Sequence, residues 1–194
     1  MDYESNSRKG SEFTNIPYTS CNLGSIDVSY FVISNGEAAH FSFDKFRDVI
    51  RVATRYLNNV IDVNEYPILK IEETTKAIRP IGLGMMGIAH ALYLLGIPYN
   101  SQEGYDFIQK LSRTLTLASM WESVAIAKET GKSYPAFDWN TFVKANQRFF
   151  DIDPLLLDAI STYGIANSCN TTIAPTGSIS FIANRSGGIE PVFA

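Results

Sequence analysis

The sequence predicts an α/β fold with a largely parallel sheet. Segments rich in β-branched and aromatic residues alternate with stretches whose apolar residues recur at helical spacing, in the order strand, helices, strand, helices, strand. The chain has 194 residues, 45% of them hydrophobic and 19% charged, which suits one domain with a sizeable core. Roughly three strands are evident, fewer than a closed sheet requires. We therefore expect part of a larger α/β structure.

Composition excludes several classes of protein. The formal net charge is −4 and no basic stripe is present, so nucleic acid is not an expected partner. No run of roughly eighteen apolar residues occurs, and the polar N-terminus lacks the apolar core of a signal peptide. We expect a cytoplasmic protein without a membrane span. Residues 1–10 are expected to be a disordered or foreign lead-in, and 11–194 one domain.

The first strand is predicted within Ser20–Val32, whose sequence SCNLGSIDVSYFV is β-branched and aromatic. A helix capped by Ser42 or Asp44 should follow. Its apolar residues at helical spacing are Phe46, Val49, Ile50, Ala53, Leu57, Val60 and Ile61. A short polar helix is expected after Pro67. Pro80 then argues against a buried strand in KAIRPI, because proline cannot donate to a ladder.

Further helices fill the second half of the chain. An apolar helix is predicted from about Met85 to Leu95, ended by Gly96. A long helix should open at Asn100 or Ser101 and close at Gly131. Its predicted inner stripe is Ile108, Leu111, Leu115, Ala118 and Ala125.

The last predicted elements are shorter. Two helices are expected near Asp138–Asn146 and Pro154–Tyr163. A strand is expected over Asn167–Ala174, with the sequence NSCNTTIA. It leads through PTGS into an apolar helical turn.

The segment from Gly82 to Gly87 reads GLGMMG and matches the G-x-G-x-x-G pattern. A dinucleotide-binding turn needs a strand before it and an acidic residue about twenty positions on, at a strand end. Glu103 and Asp106 lie at that distance but in a predicted helix. We favour glycines that let a strand pack closely against its helix. A Rossmann-type oxidoreductase is a remote alternative.

The segment 174–180, APTGSIS, leads from a predicted strand into a helix. Unpaired backbone N–H groups and the hydroxyls of Ser178 and Ser180 would suit a phosphate. An ordinary capping turn explains the same residues equally well.

The remaining candidates are isolated. Cys21 and Cys169 are the two cysteines of the chain and lie far apart in sequence, which excludes a zinc ribbon or a disulfide scaffold. Ordinary reduced thiols are the favoured interpretation, above all for Cys169. His90 lies on an apolar helix and is expected to be packed. The loop 186–191, SGGIEP, carries one carboxylate.

Together these segments resemble one family, in the order in which that family has them. They are SCNLGSID at 20–27, NNVIDVNEYP at 58–67, RPIGLGMMGIA at 79–89 and TIAPTGSISFIANRSGGIEPVFA at 172–194. Over nearly all of 11–194 the chain resembles the catalytic large subunit of ribonucleotide reductases. APTGSIS and SGGIEP are most similar to the adenosylcobalamin-dependent class II, and the iron- or manganese-dependent classes are also similar.

The resemblance implies a ten-stranded α/β barrel, of which this chain would be a part, with a finger loop through its centre. A thiyl radical at the loop tip abstracts the substrate's 3′ hydrogen, and a cysteine pair supplies electrons. Carried over by position, Cys21 is one member of that pair and Glu12 is the finger-loop carboxylate. The substrate diphosphate would be held by Pro175, Thr176, Gly177, Ser178, Ile179 and Ser180, which favours the phosphate interpretation.

The chain departs from the family at the finger loop, which reads Asn-Pro-Cys, then Gly or Ser, then Glu. Ser11 and Glu12 fit its end, but Arg8, Lys9 and Gly10 stand where Asn, Pro and Cys belong. Without a thiol at Gly10 no thiyl radical can form there. The chain is therefore interpreted as an internal fragment of a split or truncated reductase, in preference to an intein product.

The resemblance also implies partners. They are a ribonucleotide substrate, complementary reductase fragments or a subunit, and a thioredoxin-like reductant. Adenosylcobalamin would be bound mainly by segments outside this chain. The expected function is reduction of ribonucleoside di- or triphosphates for DNA synthesis. The alternative is an inactive fragment that binds a nucleotide phosphate or a partner subunit.

Overall fold

The computed structural model describes residues 17–34, 36 and 38–192. Its strands are β1 (Asn22–Asp27), β2 (Val32–Ile33), β3 (His40–Phe41) and β4 (Ile81–Met86), with a 3-10 helix at Val28–Phe31. Its helices are α1 (Phe43–Val63), α2 (Leu69–Ile78), α3 (Ile88–Leu95), α4 (Gln102–Thr130), α5 (Trp139–Phe150), α6 (Pro154–Tyr163) and α7 (Gly177–Ala183). No helix in this part of the chain is both long and apolar enough to span a membrane.

The centre of the fold is a parallel arrangement around β4. One edge of β4 pairs with β1, from Asn22 opposite Ile81 to Asp27 opposite Met86. The other edge forms a parallel bridge between Leu83 and Thr171. The predicted α/β layout with parallel pairing is confirmed, although the strand expected over Asn167–Ala174 is reduced to this bridge. The described residues form no closed barrel.

The prediction that KAIRPI is not itself a buried strand is confirmed, because residues 76–78 belong to the end of α2 and only Ile81 belongs to β4. All six residues of β4 are buried, and Ile81 and Leu83 are at most 1% exposed. The strand begins at the residue after Pro80, so the missing N–H of that proline removes no ladder bond. Ile81 N donates to Cys169 O at 2.9 Å and Leu83 N to Asn170 O at 3.0 Å.

The G-x-G-x-x-G pattern lies inside this strand and does not form a turn that follows one. Gly82 and Gly84 belong to β4, and Gly87 precedes α3 with φ +76°. A Cβ on Gly84 would lie 3.0 Å from Thr172 O and 3.2 Å from the Ser25 hydroxyl. The glycine at 84 therefore allows close approach of the neighbouring strand segments, not of a helix as predicted, and no dinucleotide-binding turn is formed.

The predicted helix ends agree closely with the structure. The Ser42 and Ser101 side chains cap α1 and α4 by accepting from the amides of Lys45 and Gly104. Gly96 and Gly131 end α3 and α4 in the left-handed conformation that glycine adopts without strain.

Helix α3 begins at Ile88 instead of Met85 because Met85 and Met86 complete β4. The predicted stripe on α4 is correct in its first half, where Leu111 and Leu115 are buried. In the second half Ala125 is half-buried, and the buried residues there are Val124, Ile126 and Ala127. The buried face of α4 changes along the helix because its first half packs on the main core, whereas its second half packs against α5, α6 and the residues near Ala166.

Two apolar clusters carry most of the buried surface. The main core lies between the β1–β4 pair and helices α1, α3 and α4. Its fully buried side chains include Phe46, Ile50, Ile61, Ile81, Leu83, Ile88, Leu92 and Leu111. The second cluster joins α4 to α5 and α6 through Met120, Val124, Phe142, Phe150, Leu156 and Ile160.

A buried amide links the segment before Thr171 to two helices. Asn167 is fully buried, and its side-chain nitrogen donates to Asn58 Oδ1 at 3.1 Å and to Arg79 O at 3.0 Å. Its side-chain oxygen accepts from the Ser123 hydroxyl at 2.8 Å. These hydrogen bonds fix the position of the segment that leads to Thr171, because each partner belongs to α1, α4 or the turn before β4.

Replacing Asn167 with alanine should destabilise the fold substantially. The substitution leaves buried groups of Asn58, Ser123 and Arg79 unpaired, which should lower the free energy of unfolding by about 2–4 kcal/mol. Urea denaturation followed by circular dichroism measures this change. The matched control is Asn140→Ala at an exposed position of α5, which should stay within about 0.5 kcal/mol of the parent. Equal effects at the two positions would contradict the assigned role of Asn167.

Candidate functional site

Cys21 lies immediately before β1 and is partly buried. Burial raises the pKa of its thiol to about 12, and the charge of the nearby Cys169 raises it further. At neutral pH the group is therefore a protonated thiol. A protonated thiol can donate a hydrogen atom or a proton but is a poor nucleophile.

Cys169 lies on the opposite edge of β4 from Cys21. Its carbonyl accepts from the amide of Ile81, and its side chain is exposed. Desolvation nevertheless raises the pKa of the thiol, and backbone hydrogen bonds at Thr171 and Asn170 offset part of that rise. Both cysteines are free thiols in this structure.

Sequence reasoning missed the proximity of the two cysteines. It treated Cys169 as an ordinary thiol because the two cysteines are far apart along the chain. The available signal was the parallel order of the predicted strands. Cys21 precedes the first strand and Cys169 lies near the start of the last, and parallel strands begin at the same edge of a sheet.

The turn at 174–177 leads into α7 with a strained residue at its centre. Thr176 has φ +54°, and its hydroxyl oxygen accepts from the amide of Gly188 at 2.7 Å. Ser180 is buried, and its hydroxyl donates to Gly177 O at 3.0 Å. Thr176 and Ser180 therefore hold the shape of the turn.

The outer side of the turn is open. Pro175, Gly177, Ser178 and Ile179 are exposed. The first intrahelical hydrogen bond of α7 runs from the amide of Ser180 to the carbonyl of Thr176. The amides of Gly177, Ser178 and Ile179 therefore have no carbonyl partner within the helix. The turn thus presents backbone N–H groups and the Ser178 hydroxyl, all hydrogen-bond donors suited to an anion.

The loop 186–190 packs directly on this turn. A Cβ on Gly187 would lie 2.8 Å from Pro175 O, and one on Gly188 3.0 Å from Ala174 O. Gly188 also has φ +43°. The close approach requires glycine at both positions. The SGGIEP segment therefore packs behind the turn and supports it. Its sequence alone did not indicate this role.

The loop is attached in turn to the ends of β1 and β4. Arg185 Nε donates to Asp27 Oδ2 at 2.9 Å and to the Ser29 hydroxyl at 2.8 Å. Ser186 N donates to His90 Nδ1 at 3.0 Å, and Ser186 O accepts from Gly87 N at 2.8 Å. His90, expected to be a packed residue, is half-buried and serves as an acceptor for the loop.

The predicted site residues occupy two ends of the sheet. Cys21 lies at the amino end of β1, and the 175–180 turn follows the carboxyl end of the parallel segment that bridges β4. Since a strand advances about 3.3 Å per residue, Asp27 at the far end of β1 is about 20 Å from Cys21. One substrate that reached both would have to lie along the strands. Glu12 falls outside the described residues.

A cavity of about 800 Å³ lies between α4, the end of α5 and the segment Thr171–Ile173, with Arg113 and Arg148 among its lining residues. Neither Cys21 nor the 175–180 turn contributes to it. The described part of the chain also contains no group of three or more His, Cys, Asp or Glu residues arranged to hold a metal ion.

Comparison with known proteins gives the family. The family model for the ribonucleotide reductase barrel domain matches residues 5–194. Similar curated proteins include the vitamin B12-dependent ribonucleoside-diphosphate reductase of Thermoplasma acidophilum, 39% identical over 92% of this chain and 21% of that protein. The protein of the same name from Mycobacterium tuberculosis is 38% identical over 92% of this chain and 22% of its own length.

A second class of relatives is also similar. The ribonucleoside-diphosphate reductase large subunit of variola virus is 35% identical over 88% of this chain and 23% of its own length. The chain thus spans about a fifth of the length of the curated relatives that it matches. With a parallel β1–β4 pair that begins at a thiol and an anion-suited turn at the other end, the chain belongs to the ribonucleotide reductase barrel-domain family.

Proposed function

We propose that this chain is part of the catalytic subunit of a ribonucleotide reductase. It would reduce ribonucleoside di- or triphosphates to deoxyribonucleotides, in the cytoplasm, for DNA synthesis. The observation that carries the proposal is the family match over 5–194. Because the chain spans about a fifth of its relatives' length, we propose that it acts together with further reductase segments, from the same or another chain.

Cys21 is proposed as one of the two thiols that reduce the substrate. Reduction of the ribose consumes two thiols, which lose two electrons and two protons and become a disulfide, while the hydroxyl leaves as water and a hydrogen takes its place on the ribose carbon. The raised pKa keeps the Cys21 thiol protonated until it reacts. Cys21 and Cys169 are both free thiols, on opposite edges of β4. The second thiol would come from another reductase segment, and a thioredoxin-like dithiol would restore the pair.

Glu12 is proposed as the finger-loop carboxylate that assists proton transfer. The thiyl radical of the family requires a cysteine where this chain has Gly10. We propose that another segment supplies that thiol.

The 175–180 turn is proposed to hold the substrate phosphates. The amides of Gly177, Ser178 and Ile179 and the Ser178 hydroxyl are the donors, because they lie on the open side of the turn. Pro175, Thr176 and Ser180 give the turn its shape. A fragment that only binds nucleotide phosphate is the second candidate, since this turn is complete without Cys21.

The names of two relatives suggest a cobalamin-dependent reaction. Adenosylcobalamin supplies a radical when it is bound. We propose that it would be held mainly by other segments of the reductase. A viral large subunit at 35% identity leaves a metal-dependent class as the other possibility.

A chimeric enzyme tests the catalytic proposal. Residues 11–194 would replace the matched segment of the Thermoplasma acidophilum reductase, which keeps its own upstream loop. The chimera should reduce ribonucleoside diphosphate with a dithiol and adenosylcobalamin. Cys21→Ser should lower dithiol-driven turnover at least about a thousandfold, because one of the two reducing thiols is lost.

Cys169→Ser in the same chimera is the matched control and should retain activity within about threefold. If the Cys21→Ser chimera still reduces ribonucleotide at the parent rate, Cys21 is not one of the reducing thiols. A folded chimera that binds nucleoside diphosphate without turnover would favour the binding fragment instead.

The thiol of Cys21 should resist alkylation in the native chain. Burial raises the pKa of this thiol from 9.0 to about 12, so a smaller fraction of it is thiolate at pH 8.5. A thiolate of higher pKa is a stronger nucleophile, which offsets part of that loss of reactivity. In Cys169→Ser protein, iodoacetamide should modify Cys21 at least about tenfold more slowly in the folded chain than in urea. The native rate should rise with pH up to about pH 11. Mass spectrometry of the Cys21 peptide measures both rates, and equal rates would refute the raised pKa.

A further inference from the structure

Arg185 occupies a position that the family resemblance did not assign. Its guanidinium Nε contacts two acceptors at the end of β1, Asp27 Oδ2 at 2.9 Å and Ser29 Oγ at 2.8 Å. Asp27 itself is held in place, because its other oxygen accepts from the Ser29 amide at 3.0 Å and the Ser29 hydroxyl at 2.6 Å. The ion pair joins residues at opposite ends of the sequence.

The groups around this pair leave little room for rearrangement. A Cβ on Gly87 would lie 2.4 Å from Asp27 Oδ1, so the carboxylate lies directly against the end of β4. The side chain of Asp27 is 23% exposed and that of Arg185 35%. Partial burial makes the two-acceptor contact stronger than an exposed ion pair, which contributes little.

Arg185 immediately precedes the loop that supports the turn. From Ser186 onward the backbone is bonded to His90 Nδ1 and to Gly87 N, and Gly188 N bonds the Thr176 hydroxyl. These hydrogen bonds connect the loop that follows Arg185 to Thr176, whose left-handed conformation shapes the 175–180 turn.

We propose that Arg185 is a positioning residue: by pairing with Asp27 it fixes loop 186–190, and through that loop the 175–180 turn, relative to the end of β1. The effect on ligand rests on the phosphate role proposed for the turn. Arg185 makes no contact with substrate in this proposal. It sets the orientation of the backbone donors that would contact the phosphates of a nucleoside diphosphate.

Amide hydrogen exchange of the full chain tests the anchoring without any ligand. Arg185→Met should accelerate exchange of the Ser186 and Gly188 amides by about tenfold or more, because the loop opens more often. The amides of Tyr134 and Ile165, bonded elsewhere in the fold, should not change. Asp27→Asn removes the charge while keeping the shape of its side chain and should give the same pattern. Exchange rates of the Ser186 and Gly188 amides that equal those of the wild type in both variants would overturn the proposal.

Binding of cytidine diphosphate and of cytidine tests the consequence for phosphate. Arg185→Met should weaken binding of cytidine diphosphate by about fivefold to twentyfold and leave the affinity for cytidine unchanged. Arg185→Lys should restore part of the lost affinity. The matched control is Arg47→Met, which removes an ion pair with Asp44 on α1 and should change neither affinity. Equal weakening of both ligands, with a lowered melting temperature, would mean a merely structural role and overturn the positioning.

The two proposals fail in different ways. If the wild-type chain binds cytidine diphosphate no better than cytidine, the phosphate role of the turn is wrong, whatever the variants do. If the wild type prefers the diphosphate and Arg185→Met keeps that preference despite faster exchange, the turn binds phosphate but Arg185 does not position it.

Discussion

The structure depends on the pairing of β4 along both of its edges. All six of its residues are buried, so each of its backbone polar groups must find a partner inside the protein. β1 supplies partners on one side and the segment around Thr171 on the other. Helices α1 and α4 pack in the apolar core around β4. The positions of Cys21, Cys169 and the 175–180 turn all follow from this central strand.

The parallel order separates two kinds of chemistry. At the amino end lie two free thiols with raised pKa values, Cys21 partly buried and Cys169 exposed. At the carboxyl end, a turn with exposed amides suits an anion, and a glycine loop supports it from behind. Both ends are assembled from segments far apart in the sequence, and their spacing is set by the length of the strands between them.

Local signals predicted the helices well and the strands less well. Capping by Ser42 and Ser101 and termination at Gly96 and Gly131 depend on neighbours within a few residues, so the sequence contained the information. The strand expected over Asn167–Ala174 is only a bridge at Thr171, whereas Pro80 correctly marked the residue before β4. The partners of Asn167 could not be predicted, since they come from segments far away in the chain. The same holds for the contact between the glycine loop and the turn.

The pairing of β4 has a consequence for how the chain acquires its structure. Asn22 must find Ile81, and Leu83 must find Thr171, so both pairings close long stretches of intervening chain. Such distant contacts slow folding, because loop entropy is lost before the contacts stabilise the product. During synthesis from the N-terminus, β1 and β4 can meet while one edge of β4 still has no partner. That edge stays available to other chains until the region around Thr171 has left the ribosome, which makes the late stage of translation the period of greatest risk for misassembly.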